Sequence, residues 1–131
     1  MTPIEQMTHQ IARVEDDVLH FNALLNEYRT AKYKNTPEGL ESKLDSLESI
    51  LVEGASIQSQ LYTTKYFILT KVMKELPSSS ASKLKVKLTM LDELRDGIKS
   101  SMFPLVEAAR GVRERFSELI EETKKDVIED S

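Results

Sequence analysis

The stretch "SSMFPLVEAARG", residues 100–111, places a proline and a glycine inside an otherwise helical pattern and decides how many helices this chain forms. Apolar residues recur at alternating spacings of three and four on both sides of Pro104, with Arg95 as the only polar interruption, and a chain reversal would reset that phase. The pattern therefore predicts one continuous helix over about residues 81–127, bent near Pro104. The alternative is a helix that ends at Ser101, with a new helix beginning at Pro104. The residues that keep the register are Leu84, Leu88, Leu91, Ile98, Met102, Leu105, Ala109, Val112, Phe116 and Leu119.

The first helix is predicted over residues 3–33. Thr2 supplies a hydroxyl that can cap the helix, Pro3 suits a first helical position, and Glu5 completes a capping pattern. Apolar residues then alternate spacings of three and four along the whole segment, which is typical of helix-on-helix packing. The residues of this stripe are Ile4, Met7, Ile11, Val14, Val18, Phe21, Leu25 and Tyr28. The pattern does not say whether the partner helix belongs to the same chain.

The second helix is predicted over residues 37–76, after a tight reversal. Thr36 and Pro37 form a second capping pattern. The apolar stripe falters at "VEGASIQ", residues 52–58, which contains Gly54. We expect a single helix kinked near Gly54, because an interior glycine costs only about 1 kcal/mol relative to alanine and no second breaker supports a turn. The stripe consists of Leu40, Leu44, Leu47, Leu51, Ile57, Leu61, Ile68, Val72 and Leu76.

These elements predict an all-α fold, an elongated antiparallel three-helix bundle with coiled-coil-like heptad packing. We expect one domain over residues 1–131, with a frayed end at residues 128–131. Since the first helix is the shortest, the end of the second helix and the start of the third should project beyond it as a two-helix hairpin. Such a hairpin leaves apolar stripes half exposed, and exposed apolar surface often marks an interaction site.

Composition argues against catalysis, cofactors and metal binding. The chain has no cysteine, so thiolate metal ligands and disulfides are excluded. His9 and His20 both fall off the apolar stripe of the first helix, which indicates solvated imidazoles and not ligands or bases. No glycine-rich phosphate loop is present. We therefore expect a protein that is not an enzyme and that uses no cofactor, no metal and no small-molecule substrate.

Neither a secretion signal nor a run of about 18 apolar residues occurs in the sequence. These absences predict a soluble cytoplasmic protein, with the nucleus as the alternative compartment. The net charge of −4 argues against general nucleic-acid binding.

Positive charge is concentrated in one segment of this acidic chain. Between Lys65 and Leu91, six lysines stand against a single acid, Glu75, so the segment carries a net charge of +5. The lysines could simply solubilise the hairpin by lying over apolar surface, or they could form a docking surface for an acidic partner. The candidate partner-binding residues are Lys65, Lys71, Lys74, Lys83, Lys85 and Lys87.

The stretch "KYFILTKVMKELPSSSASKLKVKLTMLDEL", residues 65–94, resembles the second and third helices of BAG domains. The resemblance implies a three-helix bundle that binds the ATPase domain of Hsp70 chaperones and promotes nucleotide exchange. Members of that family carry an Arg-Lys pair followed by an aliphatic residue and an Ile-Gln pair. Here Lys85-Val86-Lys87 interrupts the basic pair, and no glutamine occurs between Ala81 and Asp96. The resemblance therefore implies a candidate partner but no binding residues.

The sequence thus favours a non-enzymatic helical protein–protein interaction module. Such a module would be an adaptor or a small subunit of a larger helical or coiled-coil assembly, of the cytoskeletal, kinetochore or trafficking type, with acidic or helical protein partners. Two alternatives stay open: a BAG-like Hsp70 co-chaperone acting as a nucleotide exchange factor, and a protein that binds anionic membrane surfaces.

Overall fold

The chain forms an all-α, three-helix fold, as predicted. The protein is described as a computed structural model, over the backbone of residues 1–130 and the side chains of residues 1–127. Helix α1 covers Pro3–Thr30, α2 covers Pro37–Phe67 and α3 covers Ala81–Asp130, and no strand occurs among the described residues. Ser131 and the side chains of residues 128–130 lie outside the described part, so the frayed end stays a prediction.

Threonine hydroxyls cap the first turns of α1 and α2. Thr2 Oγ1 accepts a hydrogen bond of 3.1 Å from the backbone amide of Glu5, and Thr36 Oγ1 accepts one of 3.1 Å from the amide of Gly39. A proline follows each threonine, at a position where the helix needs no amide donor. The predicted beginnings of both helices are therefore confirmed.

Helix α1 ends three residues earlier than predicted, at Thr30, because the backbone at Ala31 is extended. The chain beyond this point folds back over the bundle. The ring of Tyr33 lies 6.1 Å from the ring of Tyr28 in α1, and its hydroxyl donates a hydrogen bond of 3.1 Å to Ser46 Oγ in α2. Leaving the helix allows Tyr33 to contact both helices.

The second helix is uninterrupted at Gly54, and its departure from α-helical geometry lies further along the chain. Residues Ile68–Val72 form a π-helical segment, and the α-helical turn Met73–Glu75 follows it. A 3₁₀ turn, Ser78–Ser80, then leads into α3. The sequence does not predict the π-helical segment, because neither glycine nor proline marks it.

Helix α2 is the central element and packs against both α1 and α3. Its apolar stripe continues through Gly54 without faltering, since Gly54 is itself buried. A Cβ atom at this position would lie 2.7 Å from Met102 Sδ of α3 and 3.1 Å from Phe21 Cε2 of α1. Gly54 is therefore the point at which all three helices approach one another closely. The buried positions of α2 are Leu40, Leu47, Ile50, Gly54, Ile57, Leu61 and Thr64.

The predicted apolar stripes of α1 and α3, together with Ile68 and Val72 of the π-helical segment, supply the rest of the core. Val14 and Phe21 of α1 and Leu91 of α3 are almost completely buried, whereas Ile4, at the start of the α1 stripe, is largely exposed. The remaining buried apolar residues of these two helices are Met7, Ile11, Leu25, Leu84, Ile98, Leu105, Ala109 and Val112.

Helix α3 runs without a break from Ala81 through Pro104. Pro104 is exposed, so the ring lies on the outside of the bundle and the carbonyl of Ser100 loses its helical donor without being trapped in the core. The predicted continuous helix is confirmed, and the alternative of a new helix beginning at Pro104 is wrong.

The two-helix hairpin is shorter and better buried than predicted. Helix α1 contacts the π-helical segment, so the part without a third helix is confined to residues beyond Val72 and the beginning of α3. Ile68, Val72 and Leu84 are buried, and Met73 is partly buried. The apolar stripe of the hairpin is thus covered at Ile68, Val72 and Leu84 and only partly buried at Met73, Leu76 and Leu88.

Candidate functional site

Five of the six predicted lysines lie together at the hairpin end of the bundle. Lys71, Lys74, Lys83, Lys85 and Lys87 are all exposed, and we call this set the basic end. Among the side chains described, residues 1–127, no carboxylate lies within ion-pair distance of any of them. The basic end therefore presents uncompensated positive charge, which attracts an acidic surface over about 8 Å at physiological ionic strength.

The sixth lysine does not belong to this set. Lys65 is a partly buried residue of α2, and its Nζ lies 2.9 Å from Asp92 Oδ1 and 3.2 Å from Asp92 Oδ2 of α3. Asp92 also lies 3.5 Å from a guanidinium nitrogen of Arg95. The ion pair of Lys65 thus joins α2 to α3. That Lys65 also contacts a partner stays a prediction.

A second surface, which the charge pattern does not reveal, lies on the α2–α3 side of the bundle. Tyr62 is 73% exposed and Tyr66 62% on α2, and Phe103 is 69% exposed on α3. Leu69 and Val106 are exposed beside them, at 45% and 51%. We call these five residues the aromatic face.

Helical spacing places the members of the aromatic face on one side of each helix. Tyr62 and Tyr66 are separated by four residues along α2, and Leu69 follows three residues later in the π-helical segment. Phe103 and Val106 are separated by three residues along α3. Between the two helices lies an open depression of about 400 Å³, lined by Gln58, Lys99, Ser100, Met102, Phe103 and Val106. Gln58, the α2 residue that lines this depression, lies one turn before Tyr62, so Tyr62 stands one turn away from the depression along α2.

The sequence carries a signal for this face, although apolar periodicity alone does not identify it. Helix α2 has no charged residue from Gly54 to Thr64, in a chain of which 31% is charged. No acid at all occurs between Glu53 and Glu75. A surface helix that lacks charge over several turns departs from the usual solvated pattern.

A second open groove, of about 360 Å³, separates α1 from α3. Val18 of α1 and Met90, Leu94 and Ile98 of α3 line it, together with the exposed Gly97. Helices α1 and α3 approach each other less closely than either approaches α2. Its lining begins one turn beyond Lys87 of the basic end, at Met90, and its apolar residues resemble an ordinary gap between neighbouring helices.

The two histidines of the chain lie on the surface of α1. His9 and His20 are both exposed, as predicted. Within the described residues, no three histidine or carboxylate side chains are placed to hold a metal ion, and no helix is long and apolar enough to cross a bilayer.

The groups with perturbed pKa values lie at the opposite end of the bundle from the lysines. Burial raises the pKa of the Tyr28 hydroxyl, with a smaller contribution from Tyr33. The hydrogen bond that Arg115 donates to Glu118 raises the pKa of the Arg115 guanidinium, whose Nε also donates to Asn35 Oδ1 at 3.3 Å. The contact with Asn35 joins α3 to the loop between α1 and α2, which is a structural role.

Comparison of the chain with protein-family models, with curated proteins and with solved structures finds no match. The resemblance to BAG domains therefore rests on residues 65–94 alone and stays a hypothesis. Function has to be argued from the two surfaces described above.

Proposed function

We propose that this chain is a helical protein–protein interaction module, an adaptor or small subunit of a larger assembly, which docks an acidic partner on its basic end. The observation that carries the proposal is the set of exposed, unpaired lysines at one end of an otherwise acidic chain. Charged groups that do not pair within the fold contribute little to stability, whereas complementary charge accelerates and orients association.

The architecture supports a binding role because the lysines are held on ordered helices. Lys71 lies within the π-helical segment, which packs on α1, and Lys83, Lys85 and Lys87 follow the 3₁₀ turn at the start of α3. The buried Val72 and Leu84 anchor the two arms of the hairpin between these lysines. Lysine residues on ordered helices lose less conformational freedom on binding than lysine residues on a flexible loop.

The test is a charge reversal at the basic end against a matched reversal elsewhere. Lys83, Lys85 and Lys87 are replaced by glutamate in one variant, and the control replaces Lys32, Lys34 and Lys125, which are exposed residues outside the basic end. Both variants change the net charge equally, and both should keep the helicity and melting temperature of the parent. Partners are captured from lysate and quantified by mass spectrometry, and the contact residues are mapped by cross-linking.

We expect the basic-end variant to lose its main partners and the control variant to retain them, with capture by the parent weakening as salt rises. Equal capture by both variants would exclude the basic end as the docking site. An Hsp70 chaperone among the partners lost would favour the co-chaperone alternative. Salt-sensitive binding to phosphatidylserine vesicles, lost only in the basic-end variant, would favour the membrane alternative.

A further inference from the structure

We propose that the aromatic face binds an acidic amphipathic helix of a partner protein. This inference rests on the proposed role as a protein-interaction module, but it concerns a different surface from the basic end and adds the kind of partner segment. It is carried by three observations: the exposed aromatic side chains, the depression between α2 and α3, and the distribution of paired and unpaired charge around them.

The aromatic face has the composition of an interface centre. Tyr62, Tyr66 and Phe103 are the kinds of side chain that contribute most to binding energy at protein interfaces, whereas charged residues are depleted there. Nothing in the described fold covers these rings, although most large apolar side chains of the chain are packed in the core. Their exposure therefore has no explanation in the stability of the isolated bundle.

The shape of the surface suits a helix. From Tyr62 to Leu69 the face extends about 10 Å, at 1.5 Å per residue, along the end of α2 and the start of the π-helical segment. Phe103 and Val106 form its second part on α3, beside the depression that Gln58 of α2 also lines. An amphipathic helix presents apolar side chains every three or four residues, which match the spacing of these exposed residues and can enter the depression.

The charges around the aromatic face determine whether an acidic or a basic partner segment complements it. Asp92, Asp96, Lys99, Phe103 and Val106 recur at spacings of four, three, four and three, so they share one side of α3. Asp92 pairs with Lys65, and Asp96 lies 3.4 Å from Arg95 Nη2.

Lys99, which lines the depression beside Phe103, has no carboxylate partner among the described side chains. Helix α2 offers no acid between Glu53 and Glu75. The free charge on this surface is therefore positive, and an acidic helix complements it.

The same charges argue against two other occupants. A second copy of the chain would present the same positive excess, because a two-fold interface uses the same surface of both copies, so the two charges would not be complementary. An anionic membrane would also favour lysine and aromatic side chains. However, a bilayer surface cannot fill a concave depression between two helices as side chains of a partner helix can.

The experiment is a selection of displayed helical peptides of random charge and apolar pattern against the full-length protein. We expect the selected peptides to be acidic and to carry apolar residues at helical spacings of three and four. Tyr62→Ala combined with Phe103→Ala should weaken their binding about tenfold or more. Lys99→Glu should weaken it severalfold and reduce its salt dependence.

The control replaces Leu19 and Val52, which are equally exposed apolar residues away from this face, by alanine. Circular dichroism must show unchanged helicity and melting for every variant. Selected peptides that are basic or neutral, the absence of any selected peptide, or binding that survives the Tyr62 and Phe103 changes would overturn the inference.

The parent protein is also tested for dimerisation by sedimentation velocity and for binding to phosphatidylserine vesicles. If the parent shows one of these and the Tyr62 and Phe103 variant does not, the inference is overturned. The basic-end variant separates the two proposals. Peptide binding that depends on Lys83, Lys85 and Lys87 and not on the aromatic face leaves the proposed function standing and removes this inference.

Discussion

Gly54→Ala is expected to destabilise the bundle, although alanine is the better helix former. The reason is the contact geometry at the centre of the fold. A Cβ atom at residue 54 would lie 2.7 Å from Met102 Sδ, 3.0 Å from Met102 Cγ and 3.1 Å from Phe21 Cε2. Met102 is partly exposed and its thioether can move aside, but Phe21 is completely buried and has little room to shift.

The magnitude follows from two opposing terms. Replacing an interior helical glycine with alanine stabilises the helix by about 1 kcal/mol. Forcing a methyl group into a well-packed core costs about 1–3 kcal/mol. With a central value of about 2 kcal/mol for the second term, the net expectation is a destabilisation of about 1 kcal/mol, which lowers the melting temperature by about 3–5 °C in a chain of this size.

The chain supplies its own controls in two other helical glycines. A Cβ atom at Gly97 or Gly111 would meet nothing within 4 Å, so alanine at either position should stabilise the protein by about 1 kcal/mol. Urea denaturation and thermal melting of the three single variants measure the contrast. Combining Gly54→Ala with Met102→Ala should recover part of the loss, because the shorter side chain removes the closest contact.

If Gly54→Ala stabilises the protein as much as Gly97→Ala does, the close approach of the three helices at residue 54 is wrong. If the effects of Gly54→Ala and Met102→Ala on the free energy of unfolding simply add, Met102 does not cause the loss of stability at residue 54.

Three further changes test other parts of the fold, each by thermal and urea denaturation. Phe21→Ala should cost about 3–5 kcal/mol, since the ring is fully buried at the centre of the bundle; little change would mean that α1 packs elsewhere. Pro104→Ala should stabilise α3, by up to about 3 kcal/mol, because it restores the amide donor to the carbonyl of Ser100; a loss of stability would contradict the continuous helix. Thr36→Ala should cost about 1 kcal/mol, because it removes the hydroxyl that accepts the hydrogen bond from the Gly39 amide, whereas Thr36→Ser should retain most of it.

Interactions within single helices, which need no tertiary contact, determine much of the fold. The Thr-Pro pairs at residues 2–3 and 36–37 define the beginnings of α1 and α2, because a cap hydroxyl and a proline act within one turn of the backbone. The register of apolar residues across Pro104 predicts one helix, since helical phase is a property of the chain itself.

Contacts between distant residues decided the rest. The sequence shows a glycine at residue 54, but only the packing of Met102 and Phe21 against it explains why a glycine is there. Likewise, Lys65 reads as one of six equivalent lysines until the fold brings it to Asp92, 27 residues away in the chain.

The basic end and the aromatic face also differ in whether the sequence alone predicts them. The positions of the lysines in the sequence predict the basic end, because all five lie within one short hairpin and a hairpin keeps sequence neighbours together in space. The aromatic face joins residues near position 62 to residues near position 103, and no local rule relates them. The relative position of these two groups is set by the antiparallel packing of α2 against α3. That packing depends on how each apolar side chain fits against the opposite helix.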